Sequence, residues 1–298
     1  MSDDIEIDFD EDNIPQEASL SDTEGMPALD GAGEQQTLSV GVIGDNAIGR
    51  ALPIMFGAGG DNGQIDFTFF DDIDKACESK GVHIFFVCME PIIDGEHVDD
   101  VPIIDAFNKL NKFQSKRTVI LKSTVSPDTI GMIAKCFSMD MFVYHPETAY
   151  NDDIKEILDS ELDLIGGNPE PLERYKRLMY GASCLDRKLF EGTLYDVALL
   201  KMCMVSFRAI EQTFWNQVYD FTAPMKANYN VVRKTFAEMK RQSSTGIPTF
   251  VRAKGEGMTF KRAKSFSGEY DNRDVRVFAN VTDKLPLLDE CINKKNLE

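Results

Sequence analysis

Short runs of β-branched and aromatic residues alternate along this chain with stretches whose apolar residues recur at helical spacing. A short apolar run is typical of a buried strand, and apolar residues at every third or fourth position are typical of an amphipathic helix. Strands are predicted from Leu38 onward and at residues 65–70, 82–88, 118–122, 141–144 and 162–165. This alternation predicts an α/β fold, with a Rossmann-like, mostly parallel sheet and helices on both faces.

The pattern changes near residue 192, where a long and strongly apolar helical stretch replaces the alternating strands. The chain has 298 residues, which is enough for about two domains of ~150 residues, each with its own core. We therefore expect a Rossmann-like domain at residues 38–191 and a smaller helical domain at residues 192–298. Residues 1–37 form a separate tail.

This tail carries much of the net charge of -18, because its 37 residues include twelve acidic side chains and no Lys or Arg. A segment this polar buries too little apolar surface to offset the entropy lost on ordering, so we expect it to be disordered. Within it, Ile5, Ile7, Phe9 and Ile14 alternate with acids. Two roles stay open: a solvating arm, or a short peptide that docks on a basic, apolar groove of a protein partner.

A basic segment lies between Lys226 and Lys264, where ten Lys and Arg residues face only Glu238 and Glu256. Such a surface suits a diphosphate, a nucleic acid or the acidic tail. Nucleic acid is the least favoured partner, because the whole chain is acidic, few aromatic residues are interleaved and no RNA- or DNA-binding motif is present.

Simple counts exclude several classes of protein. No apolar run approaches the ~18 residues that span a bilayer, and no cationic leader precedes an apolar stretch. The six cysteines form no CxxC pair, and the three histidines fall at no metal-ligand spacing. We expect a cytoplasmic protein with reduced thiols, no metal site and no membrane segment.

The first predicted strand runs into a glycine turn and then a helix, in the order Gly-Asp-Asn-Ala-Ile-Gly. Gly44 suits the tight turn, and Gly49 lets the helix pack closely on the strand. The amides of Ala47 and Ile48 then face a pyrophosphate at the positive end of the helix. Asn46 replaces the middle glycine of the GxGxxG pattern. Its side chain crowds the phosphate approach, although Asn tolerates a left-handed backbone better than most residues.

The second predicted strand ends in Asp71, at the position from which a carboxylate accepts both hydroxyls of an adenosine ribose. A carboxylate there favours NAD over NADP. Strand, turn, helix, strand and acid in this order predict a dinucleotide site, and the alternative is an αβ turn that binds nothing.

Two short segments further along are specific enough to suggest a relationship: Ser-Thr-Val-Ser-Pro at residues 123–127 and Pro-Glu at residues 146–147. Weaker similarities follow the same order at residues 40–52, 84–91, 164–167, 194–216, 265–274 and 285–289. Together these segments resemble the UDP-glucose/GDP-mannose dehydrogenase family, whose members oxidise C6 of a nucleotide sugar in two NAD-dependent steps. The resemblance covers residues 38–298 diffusely.

The resemblance implies NAD as cofactor, a nucleotide sugar as substrate and a homodimer paired through the central helix. It places Cys88 at the cofactor strand, and Thr124 and Glu147 beside the reacting carbon, where they order water or take a proton. Lys201 would steady a developing oxyanion. Asp274 matches the aspartate that closes the catalytic loop.

Other family positions are altered. Asn151 stands in place of a second glutamate, Val205 in place of an asparagine and Tyr270 in place of the loop cysteine. No cysteine lies between Cys203 and Cys291, so the loop has no thiol to trap an aldehyde, and a phenol with a pKa of about 10 is a poor substitute. We expect the four-electron oxidation to the acid to fail, while a two-electron alcohol/aldehyde exchange stays open.

The family's third domain, which grips the nucleoside diphosphate, would begin where this sequence ends, at Glu298. Three interpretations follow from the resemblance. A partner or second subunit supplies the missing half of the site, the basic segment holds the diphosphate, or no nucleotide sugar is bound. Our working hypothesis is the second.

Two further functions stay open: a hydroxyacid-dehydrogenase-like enzyme that uses Lys201 on a smaller substrate, and a non-catalytic binding protein that keeps the fold. Individual residues also have simpler interpretations. Lys201 is then a surface residue with its amine in water, Glu147 an ordinary helix-start acid, Thr124 a local backbone partner and His145 a strand-end histidine with both nitrogens satisfied.

Overall fold

The computed structural model describes residues 38–57, 65–82, 84–94, 97–112, 118–149, 154–160, 162–182, 187–222, 224–225 and 227–242. Several predicted features lie outside these residues: the acidic tail, the larger part of the basic segment, and Asn151, Tyr270 and Asp274.

Strands and helices alternate through the described residues. The strands are β1 (Leu38–Ile43), β2 (Ile65–Phe70), β3 (Ile84–Val87), β4 (Ile92–Asp94), β5 (His97–Asp99), β6 (Thr118–Leu121), β7 (Phe142–Tyr144), β8 (Leu162–Gly167) and β9 (Lys188–Gly192). The helices are α1 (Ala47–Gly57), α2 (Ile73–Glu78), α3 (Val101–Lys112), α4 (Pro127–Cys136), α5 (Ile154–Leu158), α6 (Pro169–Ala182), α7 (Leu194–Thr222) and α8 (Tyr229–Gln242), with a short 3-10 helix at Met139–Met141.

In these ranges seven strands form one sheet in the order β2-β1-β3-β6-β7-β8-β9. Neighbouring strands run parallel except β7 and β8, which are antiparallel. In the centre, Val42 of β1 pairs with Phe69 on one side and Phe86 on the other. The predicted α/β fold with a mostly parallel sheet is therefore confirmed.

Each face of the sheet carries its own core, because consecutive residues of a strand point to opposite faces. Phe85 packs with residues of α2, α3, α4 and the first half of α7, whereas Phe86 packs with residues of α1, α5 and α6. Ile120 and Leu121 of β6 divide between the two cores in the same way. Full burial of side chains of this size contributes about 1.5–3 kcal/mol each. Helices thus cover both faces, as the apolar runs predict.

The hairpin β4–β5 and the edge strand β9 are absent from the sequence prediction. β4 and β5 are only three residues long. β9 has the sequence Lys-Leu-Phe-Glu-Gly, and three of its five residues are exposed. Neither stretch has the apolar run that identifies a buried strand. Strand β3 also begins later than predicted, at Ile84.

Helix α7 starts at a capping arrangement in which Thr193 and Asp196 bond each other reciprocally. The Thr193 amide donates to Asp196 Oδ2 at 2.9 Å, and the Asp196 amide donates to Thr193 Oγ1 at 3.1 Å. The first half of α7 packs on the sheet through Val197 and Ala198. In the second half, Trp215 stacks edge-on against rings of α8. The division at residue 192 stays a prediction, as does the tail boundary.

Among the described helices, none combines the length and the apolar character that a membrane span needs.

Candidate functional site

The sheet has a topological switch point between β1 and β3. From β1 the chain first crosses to β2 on one side and then returns to β3 on the other. In open parallel sheets, the crevice beyond the carboxyl ends of such strands is where ligands bind. The predicted cofactor turn lies at this crevice, since it connects the end of β1 to α1.

Two glycines fix the geometry of the turn. Gly44 has a φ of 106°, and a Cβ built on it would lie 2.8 Å from the backbone carbonyl carbon and oxygen of Cys88. A Cβ on Gly49 would lie 2.5 Å from the carbonyl oxygen of Gly44 and 3.2 Å from Val42. The first position thus needs glycine for its conformation and its close approach to β3, and the second for the packing of helix on strand.

Asn46 spans the crevice. Its Oδ1 accepts a hydrogen bond from the Gly49 amide at 2.9 Å, as an N-cap does. Its Nδ2 donates to the Cys88 carbonyl at 2.6 Å and to Glu90 Oε1 at 3.2 Å. Both polar atoms of the side chain are therefore engaged with the protein, and the side chain is tied to the residues that follow β3.

The start of α1 suits a dinucleotide. Ala47 and Ile48 occupy the first turn, where amides have no acceptor within the helix, and the helix dipole favours an anion. Asp71 directly follows β2 and is exposed, and the carbonyl of the preceding Phe70 accepts a hydrogen bond from the Gly44 amide at 3.4 Å. The glycine cradle, the helix start and the carboxylate thus fit the pyrophosphate and the adenosine ribose of NAD.

Backbone hydrogen bonds continue beyond the strands and bring the predicted cofactor and catalytic segments to one edge. The amide of Cys88 donates to Ile43 at 2.8 Å, and the amide of Lys122 donates to Val87 at 2.9 Å. The amide of His145 donates to Leu121 at 2.8 Å. The residues that follow β1, β3, β6 and β7 therefore form a continuous row.

Cys88 itself faces the core below this row. Its side chain is buried in the same apolar core as the residues of α1, and burial raises the pKa of its thiol to about 12. The group is a neutral thiol at physiological pH. Cys88 contributes to the site through its backbone, which lies against Gly44 and Asn46, and its neutral thiol is not a nucleophile.

Thr124 is buried just beyond β6, in the loop that leads to α4. The neighbouring Ser123 donates to the carbonyls of Val87, at 3.4 Å, and of Met89. This pair of bonds fastens the loop after β6 to the loop after β3. Thr124 thereby lies on the row that also contains the cofactor turn.

Glu147 is buried three residues beyond β7, and its carboxylate is held on two sides. Oε1 accepts from the amides of Thr148 at 2.9 Å and Ala149 at 3.0 Å, while Oε2 lies 3.5 Å from Lys122 Nζ. Burial alone would raise the pKa of Glu147. The charges of Lys122 and Arg187, together with the hydrogen bonds from the backbone amides, bring the pKa below its usual value. Glu147 is an ionised, oriented carboxylate.

Next to this pair lies a second buried group of polar residues. His145 bonds Tyr175 through Nδ1 at 2.7 Å and Asp163 through Nε2 at 3.0 Å, and Arg187 donates to Asp163 at 2.8 Å. Burial and the nearby Lys122 lower the pKa of His145, so the imidazole is neutral. Both of its nitrogens have partners, in agreement with the simpler of its two interpretations.

Lys201 is buried in α7, so its interpretation as a surface residue with its amine in water is wrong. It lies one turn after Val197, whose side chain would lie 3.0 Å from a Cβ built on Gly166 of β8. It lies two turns before Arg208, whose guanidinium donates to the Thr148 carbonyl at 3.2 Å. These contacts place Lys201 on the helix face that runs past the His145–Thr148 segment. It therefore belongs on the same side of the sheet edge as Glu147.

Two functional candidates are absent from the sequence prediction, Lys122 and Arg187. Lys122 carries a usable signal, because a charged residue that directly follows a buried strand, here Thr-Val-Ile-Leu, is placed at the ligand-binding edge. Arg187 carries none, since it lies in a polar stretch before an edge strand and its partner Asp163 is 24 residues away. Within the described ranges, no group of three His, Cys, Asp or Glu residues is placed to hold a metal ion.

No family model matches the chain, and no curated protein matches it by sequence. Solved structures do match. A UDP-glucose dehydrogenase from Pyrobaculum islandicum matches with a TM-score of 0.67 at 13% identity, and the match covers 92% of this chain and 70% of that enzyme. A UDP-D-ManNAc dehydrogenase from Pyrococcus horikoshii has a TM-score of 0.61 at 14% identity, over 85% of this chain and 67% of its own.

A 3-hydroxyisobutyrate dehydrogenase from Mycobacterium tuberculosis also matches, with a TM-score of 0.61 at 10% identity, over 87% of this chain and 92% of its own. At such identities the likeness concerns the fold. The chain therefore has a nucleotide-sugar dehydrogenase-like fold, and it is shorter than the two nucleotide-sugar dehydrogenases.

Proposed function

We propose that this protein is an NAD-dependent oxidoreductase that acts on the CH–OH group of a nucleotide sugar. One observation carries the proposal: the row of residues beyond β1, β3, β6 and β7 joins the glycine turn after β1 to an ionised, buried carboxylate. A dehydrogenase needs these two elements side by side, a cofactor site and a proton acceptor.

NAD is proposed as the cofactor because of Gly44, Gly49 and Asp71. The glycines bring the backbone close to a pyrophosphate, and the carboxylate of Asp71 would accept the ribose hydroxyls and repel the 2′-phosphate of NADP. Bound NAD supplies a hydride acceptor. The protein's contribution is to orient the two reactants and to take the proton.

In this proposal Glu147 accepts the hydroxyl proton of the substrate, directly or through a water molecule. Thr124 orders that water, and Lys201 stabilises the oxygen as it becomes a carbonyl. Oxidation stops at the aldehyde, because the stretch between Cys203 and Cys291 contains no thiol. Asp274, as the aspartate of the catalytic loop, stays part of the proposal on the resemblance alone.

A specific observation favours a second candidate, an enzyme that oxidises a small hydroxy acid. The hydroxyisobutyrate dehydrogenase is matched over 92% of its length, and a buried lysine in a central helix suits the same chemistry on a smaller substrate. Nucleotide sugars and hydroxy acids differ in the diphosphate, so a substrate panel separates the two.

The experiment measures NAD binding by calorimetry and then NADH formation with UDP-glucose and with 3-hydroxy acids. Asp71→Asn is expected to weaken NAD binding about tenfold, since one charged hydrogen-bond partner contributes about 1.5–3 kcal/mol at most. Asp66→Asn, near the start of β2 and so at the far end of the strand that leads to Asp71, is the matched control. Absence of NAD binding in the unaltered protein would contradict the proposal.

Two partners belong to the proposal as well. A homodimer is supported by exposed apolar side chains on α7, namely Tyr195, Leu199 and Phe214, and sedimentation analysis tests it. A protein partner bound through the acidic tail is tested by binding assays with and without residues 1–37. We also propose a cytoplasmic location.

A further inference from the structure

Lys122 and Glu147 form an ion pair that is almost wholly removed from water. Their side chains are 1% and 4% exposed, and Lys122 Nζ lies 3.5 Å from Glu147 Oε2. The two residues come from different strand ends, β6 and β7, and the Glu147 amide also donates to the Lys122 carbonyl at 3.4 Å. The pair therefore depends on the adjacent placement of these strands.

The geometry of the pair is asymmetric. The Thr148 and Ala149 amides occupy Oε1 of Glu147, which turns Oε2 toward Lys122. At 3.5 Å the contact is an ion pair without a formed hydrogen bond. Neither Lys122 Nζ nor Glu147 Oε2 has a hydrogen-bond partner among the described residues.

A buried charge without a partner is costly, so each member of the pair needs the other. Glu147 without Lys122 would be a buried carboxylate whose charge is supported by two amide hydrogen bonds and the weaker effect of Arg187. The usual response of a buried carboxyl in that situation is to bind a proton. A protonated Glu147 could not accept a proton from a substrate.

We propose that Lys122 is a positioning residue that keeps Glu147 ionised and holds its Oε2 oriented as the proton acceptor at the sheet edge. The proposal rests on the proposed function only for the use of this acceptor. The pair itself is a property of the protein without ligands.

Other charged and titratable groups face the pair from the elements packed against it, and they set how far it acts alone. They are Cys88 after β3, His145 after β7, Asp163 in β8, Tyr175 in α6 and Arg187 before β9. From α7, Lys201 and Arg208 lie on the helix face that runs past the segment containing Glu147. Of these, Arg187 and Lys122 both lower the pKa of Glu147, with Lys122 the stronger of the two. Loss of Lys122 leaves Arg187 as the weaker positive charge that still lowers the pKa of Glu147, which shifts the balance toward the protonated carboxyl.

The direct test observes the Glu147 carboxyl group in the protein without ligands. Infrared difference spectra of protein labelled with ¹³C-glutamate are recorded across pH for the unaltered chain, Lys122→Met and the double variant Lys122→Met/Glu147→Gln. We expect Lys122→Met to show a protonated carboxyl band near neutral pH that both the unaltered chain and the double variant lack. A carboxyl that stays ionised in Lys122→Met over the same range would overturn the proposal.

Lys109→Met is the matched control. Lys109 also pairs with a carboxylate, Asp74, at 2.8 Å, but both side chains are substantially exposed. Water can replace the lysine there, so Lys109→Met labelled with ¹³C-aspartate, which reports on Asp74, should show no protonated carboxyl band near neutral pH that the unaltered chain lacks.

A second comparison covers the case in which Lys122→Met fails to fold. Glu147→Gln leaves Lys122 buried without a counter-charge, and the added Lys122→Met change removes that charge. The double variant is therefore expected to melt at a higher temperature than Glu147→Gln alone. A double variant that melts no higher than Glu147→Gln would show that the two charges are not coupled, and the proposal would fail.

Activity gives a separate reading once a substrate is found. In Lys122→Met the acid limb of the kcat/KM profile should move toward higher pH, with NAD affinity unchanged. A protein that binds no NAD but shows the expected carboxyl band would refute the proposed function and leave the role of Lys122 in ionising Glu147 standing.

Discussion

The two ends of the candidate site are built in different ways. At the cofactor end, beyond β1 and β3, backbone atoms and two glycines define the geometry. At the other end, beyond β6 and β7 and at the start of β8, charged side chains buried among apolar neighbours define it. The glycines of the first end lie in one consecutive strand–turn–helix stretch, whereas the second end consists of side-chain pairs brought together only by the folded sheet. Mutations at the two ends should therefore differ in how much stability and how much NAD binding they remove.

The largest effect is expected from breaking the buried charges at Arg187. Its guanidinium donates to Asp163 at 2.8 Å and to the carbonyl of Ile157, and its side chain is buried. Arg187→Met leaves the Asp163 carboxylate without its charged partner, which typically costs about 3–5 kcal/mol. Chemical denaturation measures this loss.

An exposed ion pair provides the comparison for Arg187. Arg50 bonds Asp45 at 2.8 Å at the surface of the cofactor end, where water screens both charges, so Arg50→Met should destabilise the protein far less than Arg187→Met. Equal losses for the two variants would mean that burial of the charges at Arg187 contributes nothing to the difference between the ends.

A smaller loss is expected for Gly44→Ala, which tests the backbone end. The new Cβ would lie 2.8 Å from the backbone of Cys88 at a φ of 106°, so strain and overpacking together should cost about 2–4 kcal/mol. NAD binding should be lost as well, because the turn must move. Calorimetry and thermal melting measure the two effects.

Gly81→Ala separates strain from crowding. Gly81 also has a positive φ, 82°, but its Cβ would meet nothing within 4 Å. Only the conformational strain of about 1 kcal/mol remains there. If Gly81→Ala were as destabilising as Gly44→Ala, the close approach of the turn to β3 would not be the cause.

How far the sequence predicts each end follows from the same difference. Gly44, Gly49 and Asp71 are recognisable because a strand, a turn and a helix are consecutive in the chain, and the sheet was predicted from its apolar runs. The bonds of Asn46 to Cys88 and Glu90 are not, because they span more than 40 residues.

At the charged end, Glu147 was found through a short motif, but its partner Lys122 was not. No feature of the local sequence indicates that β6 and β7 are neighbours in the sheet. The contact between Lys122 and Glu147 can be predicted only when the order of the strands is known. The same holds for Asp163 and Arg187, which meet through the pairing of β8 with β9. Side-chain pairs between strands become visible only once topology is known.

A loss of about 1 kcal/mol is expected for Asn46→Ala, as for other N-cap residues. The variant removes the acceptor of the Gly49 amide and the tie to the Cys88 carbonyl. Asp72→Ala is the control, since Asp72 caps α2 by accepting from the Asp74 amide at 2.8 Å. The two variants should lose similar stability, and only Asn46→Ala should change NAD affinity. If both variants changed NAD affinity equally, the assignment of Asn46 to the cofactor site would be wrong.

The smallest effect is a dependence of stability on pH that belongs to the charged end alone. The pKa of His145 is lowered in the folded protein by burial and by Lys122, so the unfolded chain binds a proton first as the pH falls below about 6.5. Stability should therefore begin to decline there.

A second decline should follow below about pH 4, where the unfolded chain protonates carboxyls. The pKa values of Asp163 and Glu147 are lowered in the folded protein, because nearby His145, Lys122 and Arg187 outweigh the effect of burial. The stability that these carboxylates contribute is present above their unfolded pKa and is lost as the pH falls. His145→Gln should remove the upper decline and keep a smaller lower one, because Lys122 and Arg187 still act on the carboxylates, whereas Gly44→Ala should keep both at reduced overall stability. Melting temperatures measured from neutral to acidic pH test this, and an upper decline that persists in His145→Gln would assign it to a group outside the charged end.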